Sequence, residues 1–432
     1  MERETEGVDR VMAETVLIVA HGHPELYPGG AELAAYALFK TLRDEASVRA
    51  HFLAWGGTAV SAHVGTPFAS FRGRPDETMF HSDGFDHFLF SQAGADFARY
   101  AAFLRDLRPD VIHLHHYTRI GVEFIALARG LLPDVRVVVT LHEFLAICNN
   151  FGQMIKTDGR SLCEVATPQD CAICFPDRTA ADFLLRKLFI MAHFDKVDVF
   201  ISPSDFVRRR YIEWGIPEGK IVRIDNGTRA FPPPPARPLV AGEGRGVFGY
   251  FGQITPFKGL LELLKAFEIV AQAPPSASAG MRLMVHGGNL EFNKPEFIET
   301  VTRALGRNSG RVLFAGSYRR QELSALMAQV DWVVVPSTWW ENAPLVIEEA
   351  LAHKRPVICS NIGGMAEKVS PGRDGLHFPV GNSFELAALL ISAAGSPDEW
   401  SRLRTTMRSP LPMSEWMNLH LDIYREETFA VA

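Results

Sequence analysis

The chain has 432 residues, of which 47% are hydrophobic and 22% are charged, and its formal net charge at pH 7 is −6. This length is too great for one compact core, so we expect roughly two or three domains of ordinary globular composition. The acidic balance argues against a general nucleic-acid binder, although it leaves room for a local basic patch.

The amino-terminal segment (1–14) is polar and acidic and shows no apolar core of a signal peptide. No apolar run reaches the roughly 18 residues of a membrane span. We therefore expect a cytoplasmic protein, either soluble or peripheral on the inner face of the membrane, with no nucleic-acid partner.

Strands alternate with helical stretches along the first half of the chain, which favours a parallel α/β sheet. The predicted strands are Thr15–Ala20, Val48–Ala54, Asp110–His115, Arg136–Leu141, Val197–Ser202 and Ile221–Ile224. The predicted helices are Ala31–Leu42, Asp96–Leu107, Ile120–Leu131, Ala180–Phe194 and Ser204–Trp214.

A proline run from Phe231 to Pro238 then predicts an extended, semi-rigid spacer. A second αβ series follows it, so we predict two doubly wound domains with a ligand site in the cleft between their strand ends. The strands predicted in this series are Gly246–Phe251, Arg282–His286, Arg311–Phe314, Asp331–Pro336 and Pro356–Ser360.

Two long stretches interrupt the alternation, Gly56–Ser91 and Phe144–Ala180, and loops of such length are usually functional or disordered. The second stretch contains a thiol set with the spacing of a structural zinc site. Disulfides, an iron–sulfur cluster or no metal at all are the alternatives, although a chain without a signal peptide should keep its thiols reduced. The zinc ligands predicted are Cys148, Cys163, Cys171 and Cys174.

Glycine pairs follow several predicted strands and would allow a phosphate or a sugar to approach the backbone closely. The first such pair lies in Tyr27–Glu32, and Gly287-Gly288 and Gly363-Gly364 are further pairs. Lys258, beside Gly259 at a predicted helix start, suits a diphosphate, but a solvated helix-start lysine fits the same local sequence.

Histidines gather at the ends of two neighbouring strands, as His113, His115 and His116 in one and His142 in the other. A histidine at a strand end can hydrogen-bond a sugar or phosphate oxygen. For His113 a structural role is favoured. A zinc site from His115, His142 and Glu143 is conceivable, but its spacing matches no recognised pattern.

The segment STWWENAPLVIEEA combines a strand end with a predicted helix, Ala343–His353, in whose first turn Pro344 would lie. The free N–H groups at the helix start, from Ala343 and Leu345 onward, suit an anion or sugar hydroxyls, and Glu341 lies just before them. Glu348 and Glu349 are about equally far from the apolar face, so periodicity does not choose between them.

Two helical segments, Phe183–Met191 and Val207–Trp214, mix basic and large apolar side chains as membrane-surface helices do. Nearby acidic residues nearly cancel the charge, which favours packed helices with one solvated face.

The order of these motifs resembles the family 4 retaining glycosyltransferases of the GT-B fold, in which two Rossmann-like domains face each other across a cleft. The resemblance covers nearly the whole chain and includes PGGAE, DVIHLHH, TLHE, GIPEGKIVRIDNG, GYFGQITPFKG, SNIGGMAE and the Asp374–Phe378 strand. It implies an acceptor-side domain over 1–230 with the cysteine insertion 144–180, a linker over 231–245 and a donor-binding domain over 246–411. It also implies that the last helix, within 412–432, packs back on the first domain.

The resemblance also implies the site. Glu349 would hold the ribose of a UDP- or GDP-sugar and Lys258 its diphosphate. His142 would lie at the donor sugar near the reacting carbon, and Gly30 would let its loop approach the diphosphate. Glu341 with the backbone of Asn342, Ala343 and Leu345 would bind the transferred sugar, with no catalytic metal.

One residue departs from the family pattern. Gln253 stands in the donor motif where many members have an arginine, which leaves the donor type open. The function implied is sugar transfer to a glycan or lipid-linked acceptor in surface polysaccharide or glycolipid synthesis. The alternatives are a nucleotide-sugar epimerase or a phosphorylase of the same architecture, or a non-catalytic sugar-binding homologue.

Overall fold

A computed structural model describes residues 14–46, 48–57, 66–82, 84–92, 97–159, 161–240 and 242–425. Residues 1–13, which carry most of the segment behind the signal-peptide prediction, and 426–432 of the predicted last helix lie outside this description. The described residues form two compact units. The first contains the chain up to Leu141, Ala181–Ile201 and the chain from Met417; the second contains His142–Ala180 and Ser202–Trp416. The predicted boundary at the proline run stays a prediction.

An eight-stranded sheet runs through the first half of the chain. Its central strand, β1, is parallel to β2 and β7, and β3 is antiparallel to β4. The strands are β1 (Thr15–Ala20), β2 (Arg49–Trp55), β3 (Phe68–Ser70), β4 (Glu77–Phe80), β7 (Val111–Leu114), β8 (Arg136–Thr140), β9 (Val199–Ser202) and β10 (Ile221–Arg223), in the order β10-β9-β8-β7-β1-β2-β4-β3. A small hairpin, β5 (Phe85–Asp86) and β6 (Ser91–Gln92), is separate.

Helices connect these strands, and several have recognisable caps. The Ser204 hydroxyl accepts the amide of Val207 at the start of α6, and Thr167 caps α4 in the same way. The helices are α1 (Gly30–Glu45), α2 (Phe97–Leu107), α3 (Glu123–Leu131), α4 (Pro168–Cys174), α5 (Ala180–Phe194) and α6 (Asp205–Trp214).

A six-stranded parallel sheet forms the centre of the second unit. Its order, β13-β12-β11-β14-β15-β16, is that of a doubly wound Rossmann sheet, whose ligands bind at the carboxyl ends of the strands. The strands are β11 (Val247–Phe251), β12 (Arg282–His286), β13 (Val312–Gly316), β14 (Trp332–Val335), β15 (Val357–Ser360) and β16 (Gly375–Phe378). The helices that follow β11 along the chain are α7 (Leu260–Val270), α8 (Pro275–Ser278), α9 (Pro295–Arg307), α10 (Leu323–Ala328), α11 (Leu345–Ala352), α12 (Gly363–Lys368), α13 (Ser383–Ala394), α14 (Pro397–Thr406) and α15 (Met413–Arg425), the last of which belongs mostly to the first unit.

Both faces of this sheet are covered by apolar side chains around its central strands, whereas the edge strand β13 is largely exposed. In β14, Trp332 and Val334 belong to one core cluster, and Val333 and Val335 belong to the other. Such a strand reads as a continuous apolar run because successive side chains point to opposite faces and both faces are buried. The prediction of two α/β domains with Rossmann-like sheets is therefore confirmed.

Side chains of the second unit hold the proline run, and its role as a spacer stays a prediction. Arg355 donates to the carbonyl of Pro235 at 2.9 Å, and Arg404 donates to that of Pro234 at 2.7 Å. Arg237 also pairs with buried Asp331 at 2.9 Å. Within 231–240 the structure therefore shows an extended strap lying on the second unit.

Candidate donor site at the strand ends

Glu341 is a buried charged group at the carboxyl edge of the six-stranded sheet, with 7% of its surface exposed. Its carboxylate accepts hydrogen bonds from the Lys258 ammonium and the Ser337 hydroxyl, both at 2.7 Å. Burial alone would raise the pKa of Glu341, but the charge and hydrogen bonds of these partners lower it overall. Glu341 is thus a buried, ionised carboxylate, as a hydroxyl-binding group requires.

Lys258 reaches Glu341 because of the glycine that follows it. Gly259 has φ +72°, and a Cβ there would lie 1.8 Å from the carbonyl oxygen of Pro336 at the end of β14. Only glycine permits this approach of the turn to the strand end. The Lys258 ammonium also lies 5.3 Å from the centre of the Trp339 ring. The turn therefore fixes a cation beside the loop that precedes α11.

The structure distinguishes the two glutamates that periodicity leaves equivalent. Glu348 is buried and makes a two-pronged ion pair with Arg408, at 2.6 and 3.0 Å. The side chain of Glu349 is 15% exposed and lies 3.6 Å from Arg320. Burial raises the pKa of Glu349, and the Arg320 charge opposes that shift. The Glu348 carboxylate is thus engaged in an ion pair with Arg408, whereas the Glu349 side chain remains partly exposed.

The start of α11 differs from the prediction. The helix begins at Leu345, and Pro344 is its N-cap residue with φ −59° and ψ 118°, rather than a member of the first turn. Ala343 consequently lies in the loop, because the extended ψ of Pro344 interrupts the helical conformation before it. The first amides of the helix have no helical carbonyl partner and remain suited to an anion.

Asn342 and His142, both predicted from the sequence, lie together. The Asn342 side chain donates to the main-chain carbonyl of His142 at 2.9 Å and accepts from the Ser204 hydroxyl at 2.7 Å. The Gly364 amide donates to the Glu341 carbonyl at 2.8 Å. A Cβ at Gly364 would lie 1.5 Å from the main-chain carbonyl oxygen of Asn342. This glycine thus serves close packing of the loop, and the phosphate approach predicted for such pairs stays a prediction.

Arg320, Tyr318 and His286 also belong to this edge and were not predicted from the sequence. Tyr318 and Arg320 follow β13, and His286 ends β12. Burial, followed by the charge of Glu349, raises the pKa of Tyr318. Their position after strands in a doubly wound sheet was the available signal, but the loop after β13 carries no glycine pair or other motif.

Two further predicted residues have open surroundings. A Cβ at Gly30, the first residue of α1, would have no atom within 4 Å. Gln253 is exposed, and its main-chain carbonyl accepts from the Tyr250 hydroxyl at 2.8 Å. The approach of the Gly30 loop to the diphosphate and the place of Gln253 in the donor motif both stay predictions.

The first unit has its own polar cluster at the ends of β1 and β7. The His21 imidazole lies 2.8 Å from the buried carboxylate of Glu32, and the rings of His21 and His116 are 4.0 Å apart. Burial would raise the pKa of Glu32, but His21, foremost, and His116 lower it. A Cβ at Gly29 would lie 2.3 Å from a Glu32 oxygen, which explains the glycine. Sequence reasoning missed His21 and Glu32.

His113 is structural, as expected. It is fully buried, and its two ring nitrogens lie 2.7 Å from the hydroxyls of Tyr424 and Thr140. Tyr424 belongs to α15, so this contact joins the last helix to β7. Cys359 is likewise a buried core residue, as predicted.

The four cysteines of the inserted loop differ in burial. Cys148 and Cys163 are buried, and Cys171 and Cys174 are half-buried on α4. Burial raises the pKa of Cys163 to about 11, with smaller effects from Cys148 and Cys174. Within the described ranges no group of three or more His, Cys, Asp or Glu side chains is arranged to hold a metal ion. Neither the four-cysteine site nor the His115–His142–Glu143 alternative is confirmed.

The helices proposed for membrane contact differ from each other. α6 packs through Val207, Tyr211 and Trp214. α5 exposes Leu184, Leu185 and Leu188 while burying Phe183, Arg186, Ile190 and Phe194. Among the described residues, no helix combines the length and apolarity needed to cross a bilayer.

Two family models match the chain. The one described as glycosyltransferase family 4 covers residues 28–230, and the one described as glycosyl transferases group 1 covers 245–395. D-inositol 3-phosphate glycosyltransferase of Corynebacterium urealyticum is 28% identical over 284 residues, covering 64% of this chain and 61% of that protein. Lipopolysaccharide 1,2-N-acetylglucosaminetransferase of Salmonella typhimurium is 28% identical over 186 residues, or 41% of this chain and 48% of that protein. The chain thus spans less than two thirds of the length of these curated relatives.

Solved structures share the fold over almost the whole chain. HepE of Anabaena in complex with UDP and glucose has a TM-score of 0.64 at 18% identity, covering 95% of this chain and 99% of that one. Sucrose-phosphate synthase from Thermosynechococcus elongatus has a TM-score of 0.67 at 17% identity, with 95% and 98% covered. At such identities the likeness establishes the fold alone.

Proposed function

Because the chain belongs to glycosyltransferase family 4 and has the GT-B fold, we propose that it transfers a sugar from a nucleotide diphosphate sugar to a glycan or lipid-linked acceptor. The observation that carries the proposal is the arrangement of Lys258, Glu341 and Glu349 around the start of α11. The relatives support it as well, since those named above are sugar transferases and HepE binds UDP.

The charges suit the parts of such a donor. Lys258 has three N–H donors and uses one on Glu341, so others are available to the diphosphate. The buried carboxylate of Glu341 would accept hydroxyls of the transferred sugar, with the loop Asn342, Ala343 and Leu345 beside it. Glu349 would accept the ribose hydroxyls, because its carboxylate is only loosely paired. A uridine or guanosine diphosphate sugar fits this assignment.

The reaction we propose proceeds with retention at the anomeric carbon. The bond from that carbon to the diphosphate oxygen breaks, the bond to the acceptor oxygen forms, and the hydroxyl proton passes to the leaving diphosphate. His142, held through its main chain by Asn342, would contact the donor sugar near the reacting carbon. These residues would act by positioning and charge stabilisation, without a divalent metal at the reacting carbon.

The test is to follow consumption of UDP- and GDP-sugars, with chelator present, by the full-length protein and its Glu349→Ala variant. Release of nucleoside diphosphate by wild type alone, with the first-formed sugar product in the anomeric form of the donor, supports the proposal. Epimerisation of the donor without nucleotide release would instead identify an epimerase, and binding without any turnover would identify a sugar-binding homologue. A pyridoxal absorption band would identify a phosphorylase.

Surface polysaccharide or glycolipid synthesis is the pathway class we infer, with the enzyme acting in the cytoplasm and touching the membrane peripherally. The exposed leucines of α5 support such contact, because an exposed apolar helix face suits a membrane surface. Flotation with anionic vesicles would test it: wild type should float and Leu185→Glu should not. Equal behaviour of the two proteins would count against membrane contact through α5.

A further inference from the structure

An arginine whose guanidinium is held by aromatic rings lies at the strand ends of the first unit. Arg119, in the loop after β7, places its guanidinium 4.4 Å from the centre of the Trp55 ring and 6.0 Å from that of Phe85. Across the ranges that the structure describes, Arg119 makes no ion pair. Stacking on an aromatic face holds a guanidinium in place while leaving its N–H edge available for bidentate hydrogen bonds.

The backbone at Arg119 supports a specific placement. Its φ is +75°, a left-handed conformation that is costly for a residue with a Cβ. Strain of this kind persists where the surrounding structure requires it, and it is concentrated at ligand-binding sites. The charge of Arg119 also acts on a neighbouring histidine. The pKa of His87 is lowered first by partial burial and second by the Arg119 guanidinium.

An aromatic surface adjoins this arginine. The rings of Tyr27 and Trp55 are nearly parallel, with centres 5.8 Å apart, and Tyr27 is 36% exposed. Gly57 makes this possible, because a Cβ there would lie 1.9 Å from the Tyr27 hydroxyl and its φ is +59°. Aromatic side chains offer large apolar faces with a polar handle, which suit the C–H face and hydroxyls of a sugar ring.

These residues come from three adjacent strands. Tyr27 lies in the loop after β1, Trp55 ends β2 and Arg119 follows β7, and the sheet order places β1 between β7 and β2. The carboxyl edge of a doubly wound sheet is where ligands bind. An aromatic platform, formed by Tyr27 and Trp55, with one stacked cation that has no ion pair among the described residues is therefore built into the ligand edge of the first unit.

We infer that Arg119, Trp55 and Tyr27 bind the acceptor, and that this acceptor is an anionic sugar, whose phosphate or carboxylate pairs with Arg119 while its ring packs on the aromatic platform. This inference rests on the proposed transferase function only in calling the ligand an acceptor. Binding of the anionic sugar itself does not depend on the donor site.

The experiment is an NMR binding titration of the full-length protein, in the presence of UDP, with glucose 6-phosphate, glucuronate, glucose and inorganic phosphate. Wild type should bind at least one of the two anionic sugars more tightly than glucose and inorganic phosphate. Which one binds distinguishes a phosphate from a carboxylate. Arg119→Gln should weaken that binding about tenfold or more, the effect of losing a charged hydrogen bond, and leave UDP affinity unchanged.

Two further variants separate charge from fold. Arg105→Gln, an exposed arginine on α2 in the same unit, removes the same charge and should change nothing. Tyr27→Ala should weaken glucose 6-phosphate or glucuronate but not inorganic phosphate. The inference is overturned if neither anionic sugar binds, if inorganic phosphate binds as tightly as the sugars, or if Arg119→Gln binds like wild type. Failure of the donor proposal would be separate, because it would show as absent UDP binding.

Discussion

At the scale of single residues, neighbouring carboxylates of similar sequence context have different roles because their partners differ. Glu348 faces Arg408, Glu341 faces Lys258, and Glu349 has only a longer pair with Arg320. A buried carboxylate with a close cation is stabilised in its ionised form, whereas one without such a partner is not. The assignment of roles therefore follows from three interatomic contacts.

We predict that Glu348→Ala lowers the free energy of unfolding by about 2–3 kcal/mol, because it leaves the Arg408 guanidinium without its partner. Glu349→Ala should change it by less than about 1 kcal/mol, since burial already disfavours the ionised form of this carboxyl. Denaturant unfolding of the two variants measures both values. A larger loss for Glu349→Ala would show that we had exchanged their roles.

Nucleotide affinity should depend on pH through Glu349. Its pKa lies above the usual 4.5, so acidification protonates it at a pH above that value, while Glu341, with its pKa lowered, stays ionised. Affinity for the nucleoside diphosphate should therefore fall as the pH is lowered from 7 toward 5, because the ribose hydroxyls lose an ionised acceptor.

The controls for the pH dependence are two variants. Glu349→Gln should bind weakly with little pH dependence, and Arg320→Gln should move the fall in affinity to a higher pH, since Arg320 holds the pKa of Glu349 down. Titration calorimetry across this range gives the affinities. A pH profile of Glu349→Gln that matches wild type would remove Glu349 from the explanation.

Ionisation of these two carboxyls also changes the free energy of unfolding with pH, and the direction differs between them. A carboxyl whose pKa is raised by folding stabilises the folded state at low pH, and this contribution is lost as the pH rises through the folded pKa. Glu349 behaves in this way. Glu341 behaves oppositely: its contribution is present above the unfolded pKa and is lost as the pH falls through the lowered folded value.

At the scale of elements, the turn after β11 decides where Lys258 stands. Gly259→Ala should lower the free energy of unfolding by about 1–3 kcal/mol, because alanine is strained at φ +72° and its Cβ would meet the Pro336 carbonyl. It should also weaken nucleotide binding by displacing Lys258. Gly306→Ala, in the last turn of α9 with open space around it, is the matched control and should be neutral or stabilising.

The inserted cysteine loop gives a prediction about metal. If the four thiols bind zinc, the purified protein contains about one zinc per chain, and strong chelation lowers the melting temperature because binding energy is then folding energy. Cys171→Ser should abolish the zinc, whereas Cys359→Ser should not. Zinc-free protein purified without chelator, with unchanged melting on chelation, would leave the loop as a metal-free insertion.

Helices and strands were predictable where the local pattern of apolar residues marks them. The observed bounds of β12, Arg282–His286, agree with the predicted ones, and β14 was recognisable from its β-branched run. The short strands within Gly56–Ser91 and helix α4 were not, since they are held by tertiary contacts such as the pairing of β4 with β2. Local propensity is weak in such short elements.

The candidate site was predictable only where a motif marks it. Lys258, Glu341 and the alternatives Glu348 and Glu349 were visible, because they lie at strand ends and helix starts. The choice between the two glutamates depended on Arg408, and the role of Arg320 depended on Glu349, both of them distant in sequence. Such pairings are long-range contacts that a local pattern does not contain.

At the scale of the whole molecule, two α/β units supply two sets of strand ends. The second holds the cation, the buried carboxylates and the helix start proposed for the donor, and the first holds the arginine and aromatic rings proposed for the acceptor. Family membership and fold agree with this division of roles, because Rossmann-like sheets bind ligands at the carboxyl ends of their strands. The proposed sugar transfer therefore depends most on the donor assignment in the second unit.

Titration calorimetry with UDP and GDP, with chelator present, on wild type, Glu349→Ala and the exposed control Glu296→Ala tests that assignment most directly. We expect wild type to bind one of the nucleotides, Glu296→Ala to bind it equally well, and Glu349→Ala to bind it about ten- to a hundredfold more weakly. Equal affinity of Glu349→Ala and wild type, or no binding of either nucleotide by wild type, would contradict it.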